Sequence, residues 1–153
     1  MYFELEVVID RRPEEVFAFL RDKDLYPQEP GSPVLSLEQI SSSPPGVGAR
    51  YREVVQMMPF VRGTISSEIT RFEPPRWLEE DFSGAGMRGH LAYEFIPHGD
   101  NGTRLVQCET LETLGALRML SWPIRRMLGR RLRARLDGIK TEMESGWVVQ
   151  LER

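Results

Sequence analysis

From Ser121 to Leu151 apolar residues return at steps of four or three, through Ile124, Leu128, Leu132, Leu136, Ile139, Met143 and Trp147. That spacing keeps one helical face apolar and predicts a single long helix. Arg125, Arg126, Arg130, Arg131, Arg133, Arg135 and Lys140 lie between and beside the stripe, so its other side is built to stay wet. Gly129 and Gly138 fall inside the helix. Each costs roughly 1 kcal/mol relative to alanine and marks either close approach to a neighbour, a local kink or a tolerated defect. Such a helix needs a surface to cover, and upstream the period of the pattern is two.

Tyr2 to Ile9 alternates and predicts a first strand. Pro13 suits the first turn of a short helix capped at Asp10, Arg11 or Arg12, with Val16, Phe17, Phe19 and Leu20 on its apolar side and an end near Asp22. Asp24 to Pro33 holds three prolines and a glycine and predicts a loop, with room for one helical turn at Leu25 and Tyr26. Six further strands follow: Val34 to Ile40, Ala49 to Met57, Phe60 to Phe72, Trp77 to Phe82, Met87 to Ile96, and Thr103 to about Leu111. They are separated by Ser41–Gly46, Met58-Pro59, Glu73-Pro74-Pro75, Ser83–Gly86 and Pro97–Gly102. Six consecutive strands joined by turns predict an antiparallel meander. Ala116 to Leu120 reads as a helical turn or two, and Ser121-Trp122-Pro123 as the entry corner of the long helix.

Composition narrows the class of protein. A chain of 153 residues predicts one domain, 1–153. A net charge of −3 gives no basic excess that would point to nucleic acid. The lone cysteine, Cys108, has no internal disulfide partner and nothing shows metal-ligand spacing, which suits a reducing, cytoplasmic setting. Glu4 and Glu6 inside the first apolar stretch exclude a signal peptide, and no apolar run is long enough to span a bilayer. Peripheral membrane contact stays open.

Several local motifs recur in one known family. They are Arg12-Pro13-Glu14-Glu15-Val16-Phe17 after the first strand, Gly46-Val47-Gly48-Ala49-Arg50-Tyr51 opening the third, and Ile69-Thr70-Arg71-Phe72-Glu73-Pro74-Pro75-Arg76 after the fourth. Tyr93-Glu94-Phe95, followed by Gly102-Thr103-Arg104-Leu105, forms the penultimate hairpin. In these, and in their order, the chain resembles the START-like superfamily, also called SRPBCC or birch-pollen-allergen-like, and within it the polyketide cyclase/dehydrase branch. The resemblance implies an α+β helix-grip fold: a curved antiparallel meander of about seven strands, in β-α-α-β6-α order, wrapped around the C-terminal helix. It implies a cavity between sheet and helix for an apolar or amphipathic small molecule of lipid, polyketide, quinone or aromatic type. It implies no particular reaction and no cofactor. Many relatives carry a tryptophan in the loop where this chain has Tyr26-Pro27-Gln28-Glu29, so a gating role is not carried onto those residues.

Alternation then assigns faces. Leu91, Tyr93 and Phe95 form the inward set of the sixth strand; Leu78 and Phe82 point inward on the fifth, with Glu80 between them. On the seventh, Leu105 and Leu111 bring Gln107 and Glu109 inside. The fourth offers Val61, Ile65 and Ile69, with Gly63 and Ser67 leaving space. Ile124, Leu128 and Leu132 complete the expected cavity wall. The result is an apolar pocket in which Glu80, Gln107, Glu109 and Tyr93 converge. A bulge in either strand would send Glu80 or Glu109 to solvent, and that is the more ordinary outcome. If both face inward, they are candidates for general acid and base on a carbonyl-bearing ligand. An arginine from the long helix or the third strand, such as Arg52, would instead neutralise them.

The remaining chemistry is plainer. His98 lies in a turn and His90 on the outer phase, both reading as surface histidines without metal partners; Cys108 is outward and unaccompanied by a catalytic histidine. Ser83–Gly89 is glycine-rich but joins two strands rather than opening a helix, so it is a hairpin and not a phosphate cradle. The arginines of the last helix read as a solvated face, salt-bridged to acidic strands. The segment Leu114 to Met127, apolar with a Trp-Pro corner, reads as a lid or self-association surface. A small-molecule binding module is the leading function, a cyclase or dehydratase using Glu80 or Glu109 the alternative, and a membrane-associated lipid or quinone chaperone a weaker third. The oligomeric state is open.

Overall fold

The structure, a computed structural model, describes residues 1–22, 33–42 and 44–146. Its elements are β1 (Tyr2–Ile9), α1 (Pro13–Arg21), β2 (Val34–Gln39), β3 (Arg50–Met58), β4 (Val61–Glu73), β5 (Trp77–Gly84), β6 (Met87–His98), β7 (Gly102–Thr113), a 3₁₀ helix (Gly115–Leu120) and α2 (Ser121–Glu144). The Leu25–Tyr26 turn and Tyr26–Glu29 lie outside the described residues. The seven strands form one antiparallel sheet in the order β1-β7-β6-β5-β4-β3-β2. β2 to β7 are the predicted meander, and β1 closes against the last of them.

Several strands run further than their turn residues suggest. β5 continues to Gly84, β6 to His98 and β7 to Thr113, because glycines and prolines that look like turn chemistry still complete ladder pairs such as Gly84↔Met87 and Pro97↔Thr103. The β5–β6 connection is left with Ala85 and Gly86, both at positive φ (53° and 75°), the mirror-image geometry of a tight hairpin. A Cβ at Gly86 would lie 2.5 Å from Leu117 Cδ1. Gly86→Ala therefore combines an unfavourable φ with a clash, and we expect urea denaturation to show a loss of about 1–2 kcal/mol.

α1 begins at the Pro13 position, with Arg12 as its N-cap. The Arg12 backbone N–H donates to Glu15 Oε2 at 3.0 Å, half of a capping box. Its apolar side enters the core, where the Phe17 ring meets Phe95 and Phe72 at centroid distances of 5.1 and 5.3 Å.

α2 runs along β1. Leu132, Leu136, Ile139 and Met143 are buried, whereas Ile124, Met127 and Leu128 are half-buried. Only the second half of the stripe is core. Gly129 comes close to the Phe3 ring, while nothing lies near Gly138. The helix stops at Glu144, not at Leu151, because Ser145 caps it and Gly146 turns to φ 112°; Trp147 and the residues after it lie outside the described ones. Ser121 is already helical and Leu120 is the N-cap, one step before the predicted corner.

The cations of α2 also behave differently from expectation. Arg133 donates to Glu6 O at 3.0 Å and Lys140 to Val8 O at 2.6 Å, while their ion pairs are with Asp137 and Glu144 of the same helix. Arg131 donates to Gln56 O and Met57 O at 3.4 and 3.1 Å. Arg131, Arg133 and Lys140 thus reach past the stripe to strand backbone carbonyls.

Candidate functional site on the concave face

Glu80, Leu91 and Glu109 stand opposite one another across β5, β6 and β7, and the row continues to Ile69 on β4 and Phe3 on β1. The next row contains Leu78, Tyr93, Gln107 and Leu5. On the other side lie Tyr51, Ser67, Phe82, Gly89 and Leu111. All these residues share the face that α1 and α2 cover, because the ladders β5–β6 and β6–β7 carry no register shift. The bulge that would have turned a glutamate outward is absent there. Shifts fall instead within β2, β3 and β4, the last between Ile69 and Arg71. Glu80 and Glu109 are therefore both inward, at 9% and 7% exposure.

Burial dominates the electrostatics of this row. It pushes the Glu109 carboxyl up to about 7, against the partial relief of Arg135 on α2 and of a hydrogen bond from Gln107, with the neighbouring charge of Glu80 adding to the rise. Gln107 Nε2 donates to Glu109 Oε2 at 3.3 Å. Gln107 Oε1 and Ser67 Oγ are buried and have no hydrogen-bond partner among the described residues. Leaving such an atom unsatisfied costs about 1–3 kcal/mol. A group that is half-protonated near neutrality beside a second carboxyl can both donate and accept a hydrogen bond.

The sequence-derived residues do not form one continuous lining. Ile69, Leu78, Leu91, Tyr93, Phe95 and Leu105 are buried in a single core cluster with α1 and α2, and Phe95 lies against Phe17 rather than facing open space. Ile65, Phe82, Ile124 and Leu128 are half-buried, and Leu132 is buried. Val61 is misplaced: it opens β4 at the β3–β4 turn and is 41% exposed. Of the helix and third-strand arginines, Arg52 points outward and the cation that tempers Glu109 is Arg135 of the helix. Its signal is its position next to Leu132 and Leu136, from which a long side chain reaches the stripe face. Ser67, expected only to leave space, joins Tyr51 and half-buried Glu53 on β3 in completing the polar side of the concave face.

The opposite face of the sheet has its own features. A groove of about 810 Å³ is lined by Arg50, Glu68, Asp81, Arg88 and Glu112 of the outward set together with Ser67, Phe82, Gly89 and Leu111 of the inward one. His90 lies on this face, with Nδ1 2.7 Å from Asp81 Oδ1 and Nε2 3.3 Å from Glu79 Oε2. Arg71 joins the network through Glu73 and Glu79 and stacks over Trp77 at 4.5 Å. These contacts hold strand to strand. His98 is the exposed last residue of β6, and Cys108 is half-buried and outward, accepting a weak hydrogen bond from Tyr2 OH at 3.6 Å. Among the described residues no group of three His, Cys, Asp or Glu side chains is placed to hold a metal ion.

A curved meander closed by β1, gripping a C-terminal helix over a concave face with polar groups in its floor, defines the START-like class of α+β proteins. The chain belongs to the family described as "Polyketide cyclase / dehydrase and lipid transport", whose profile matches residues 2–144. Among solved structures it is similar to a START superfamily protein from Mycobacterium smegmatis, at a TM-score of 0.78 and 13% identity over 94% of this chain and 97% of that one. It is similar to the Zhui aromatase/cyclase of Streptomyces sp. R1128 at 0.78 and 18%, over 97% and 99%. A protein from Thermus thermophilus matches at 0.73 and 23%, over 95% and 98%. At these identities the likeness establishes the fold. No curated protein sequence matches the chain. Among the described residues no helix is long and apolar enough to cross a membrane.

Proposed function

We propose that the chain binds an apolar or amphipathic small molecule, of lipid, polyketide, quinone or aromatic type, between the concave face of the sheet and α2. The observation that carries this reading is two buried polar atoms with no hydrogen-bond partner among the described residues, Gln107 Oε1 and Ser67 Oγ, in the same inward set as Glu109. A ligand hydroxyl would donate to Gln107 Oε1, and a separate hydroxyl or carbonyl on the ligand would pair with Ser67 Oγ, which lies on β4 with β5 and β6 between the two; the apolar body would rest against Ile65, Phe82, Ile124 and Leu128, which are only half-buried without it. A reducing, cytoplasmic setting belongs to the same proposal and is supported by the single free cysteine. The test is mass spectrometry of compounds extracted from purified protein. The expected result is a retained hydrophobic compound, with Gln107→Leu losing it while circular dichroism stays unchanged. An interior that takes up neither a native compound nor an added fluorescent fatty acid would overturn the proposal.

The raised Glu109 carboxyl beside Glu80 favours one further reading, a cyclase or dehydratase acting without a metal. Protonated Glu109 would deliver a proton to a ligand carbonyl while the Glu80 carboxylate removes one from a neighbouring carbon. Glu109→Gln and Glu80→Gln should then each reduce turnover of the extracted compound or its precursor by about a hundredfold or more. Turnover that survives both changes leaves the carboxyls in a binding role alone.

A further inference from the structure

One end of the sheet has a composition that the pocket does not require. The β3–β4 turn (between Met58 and Val61), the β5–β6 turn (between Gly84 and Met87), and the run from Thr113 through the 3₁₀ helix into α2 fall at this same end of the antiparallel meander. Close contacts join them. A Cβ at Gly63 would lie 2.6 Å from Ala85 Cβ, Gly86 abuts Leu117, and Arg131 holds the carbonyls of Gln56 and Met57.

Large apolar side chains stand out from this end. Phe60 is 103% exposed, Met119 91%, Trp122 71%, Met58 55% and Leu120 53%. Single exposed apolar residues are ordinary, whereas five gathered on connected segments mark an interaction surface. Phe60 also holds φ 69°, a backbone region that non-glycine residues seldom adopt. A turn that keeps an aromatic ring fully in water at positive φ contributes nothing to the core.

The charge of two of these segments, the β3–β4 turn with its flanking strands and the run from Thr113 into α2, is one-sided. Residues 54–67 and 113–136 contain eight arginines and no aspartate or glutamate, in a chain whose net charge is −3. Arg62, Arg118, Arg125, Arg126 and Arg130 are exposed and form no ion pair among the described residues. Exposed arginines around an apolar tip fit a surface that is anionic outside and apolar within. A second copy fits poorly, because a two-fold contact would set these arginines against themselves. A nucleic acid would engage the arginines but leave Phe60 and Met119 in water.

We propose that this end of the sheet docks on an anionic phospholipid membrane, with Phe60 and Trp122 entering the headgroup–acyl boundary and the exposed arginines facing the lipid charge. The surface shares the first turns of α2 with the pocket wall, but Phe60, Trp122 and the exposed arginines are not among the residues placed against the ligand.

The experiment is co-sedimentation of the full chain with vesicles of phosphatidylcholine alone or mixed with phosphatidylserine, at low and high salt. Binding to the mixed vesicles alone, weakened by salt, is expected. Trp122 fluorescence should shift to the blue on binding, and Trp122→Phe should remove that shift. Phe60→Ser combined with Trp122→Ser should weaken binding about tenfold or more. Arg125→Glu with Arg126→Glu should do the same; all four residues are exposed, so melting curves should match wild type. Equal binding to neutral vesicles, no binding to either, or binding unchanged in both double variants would overturn the proposal. So would a lipid-free dimer dissolved by the Phe60/Trp122 change, which would assign the face to a second copy. DNA binding lost only with the arginines would assign it to nucleic acid.

Discussion

Replacing Glu109 by glutamine is expected to stabilise the protein at about pH 8 and to change it little at about pH 4. The sign follows from the proton count. The folded carboxyl titrates at about 7, against 4.5 for an unperturbed one, so the folded state holds more protons than the unfolded chain between those values. Wild-type stability from this group is full below about 4.5, declines as pH rises toward 7, and is level above that. The shift corresponds to roughly 3 kcal/mol as an upper size, since one pKa unit is about 1.4 kcal/mol. Glutamine removes the charge and keeps an amide that can still pair with Gln107. Urea melts of both proteins at the two pH values should show a gain of about 2–3 kcal/mol at the alkaline end only. Parallel pH curves would mean that Glu109 is wet or more fully paired than its burial implies. Glu80→Gln should lower the Glu109 titration, because the Glu80 charge is one of the causes of its rise.

The second large effect lies in α2. Leu136 is fully buried beside Ile139 and Met143, so Leu136→Ala should cost about 2–5 kcal/mol through lost burial and the cavity left behind. Ile124→Ala, at a half-buried position on the same stripe, should cost less than about 1 kcal/mol in the protein without ligand. The two differ more if Ile124 contacts ligand: its substitution should then weaken ligand retention while hardly changing the melt. Equal costs at the two positions would mean that the N-terminal half of α2 is packed as tightly as the other.

Much of this is legible in the amino-acid pattern alone. The step of three and four marks out α2 and its apolar face, and strict alternation on β5, β6 and β7 places Glu80, Gln107 and Glu109 on the inward side. Periodicity carries that information because a residue's face is set by its parity along a strand as long as the ladder is unbroken. Whether it is unbroken is a property of strand pairs, so parity alone leaves a bulge open, and the sheet places one on β4 instead of on β5 or β7. Val61 shows the limit from another side: its parity is right, but it sits at a turn where no element covers it.

The long C-terminal helix and the meander it covers are therefore determined by the chain's own pattern, since helical and strand periods are local. Tertiary structure decided the rest. It made only the half of α2 after Arg131 into core, brought Arg135 rather than Arg52 to Glu109, and collected Phe60, Met119 and Trp122 at one end of the sheet. Those outcomes depend on which surfaces meet across distant stretches of chain. Burial, and with it the protonation of Glu109, exists only once they do.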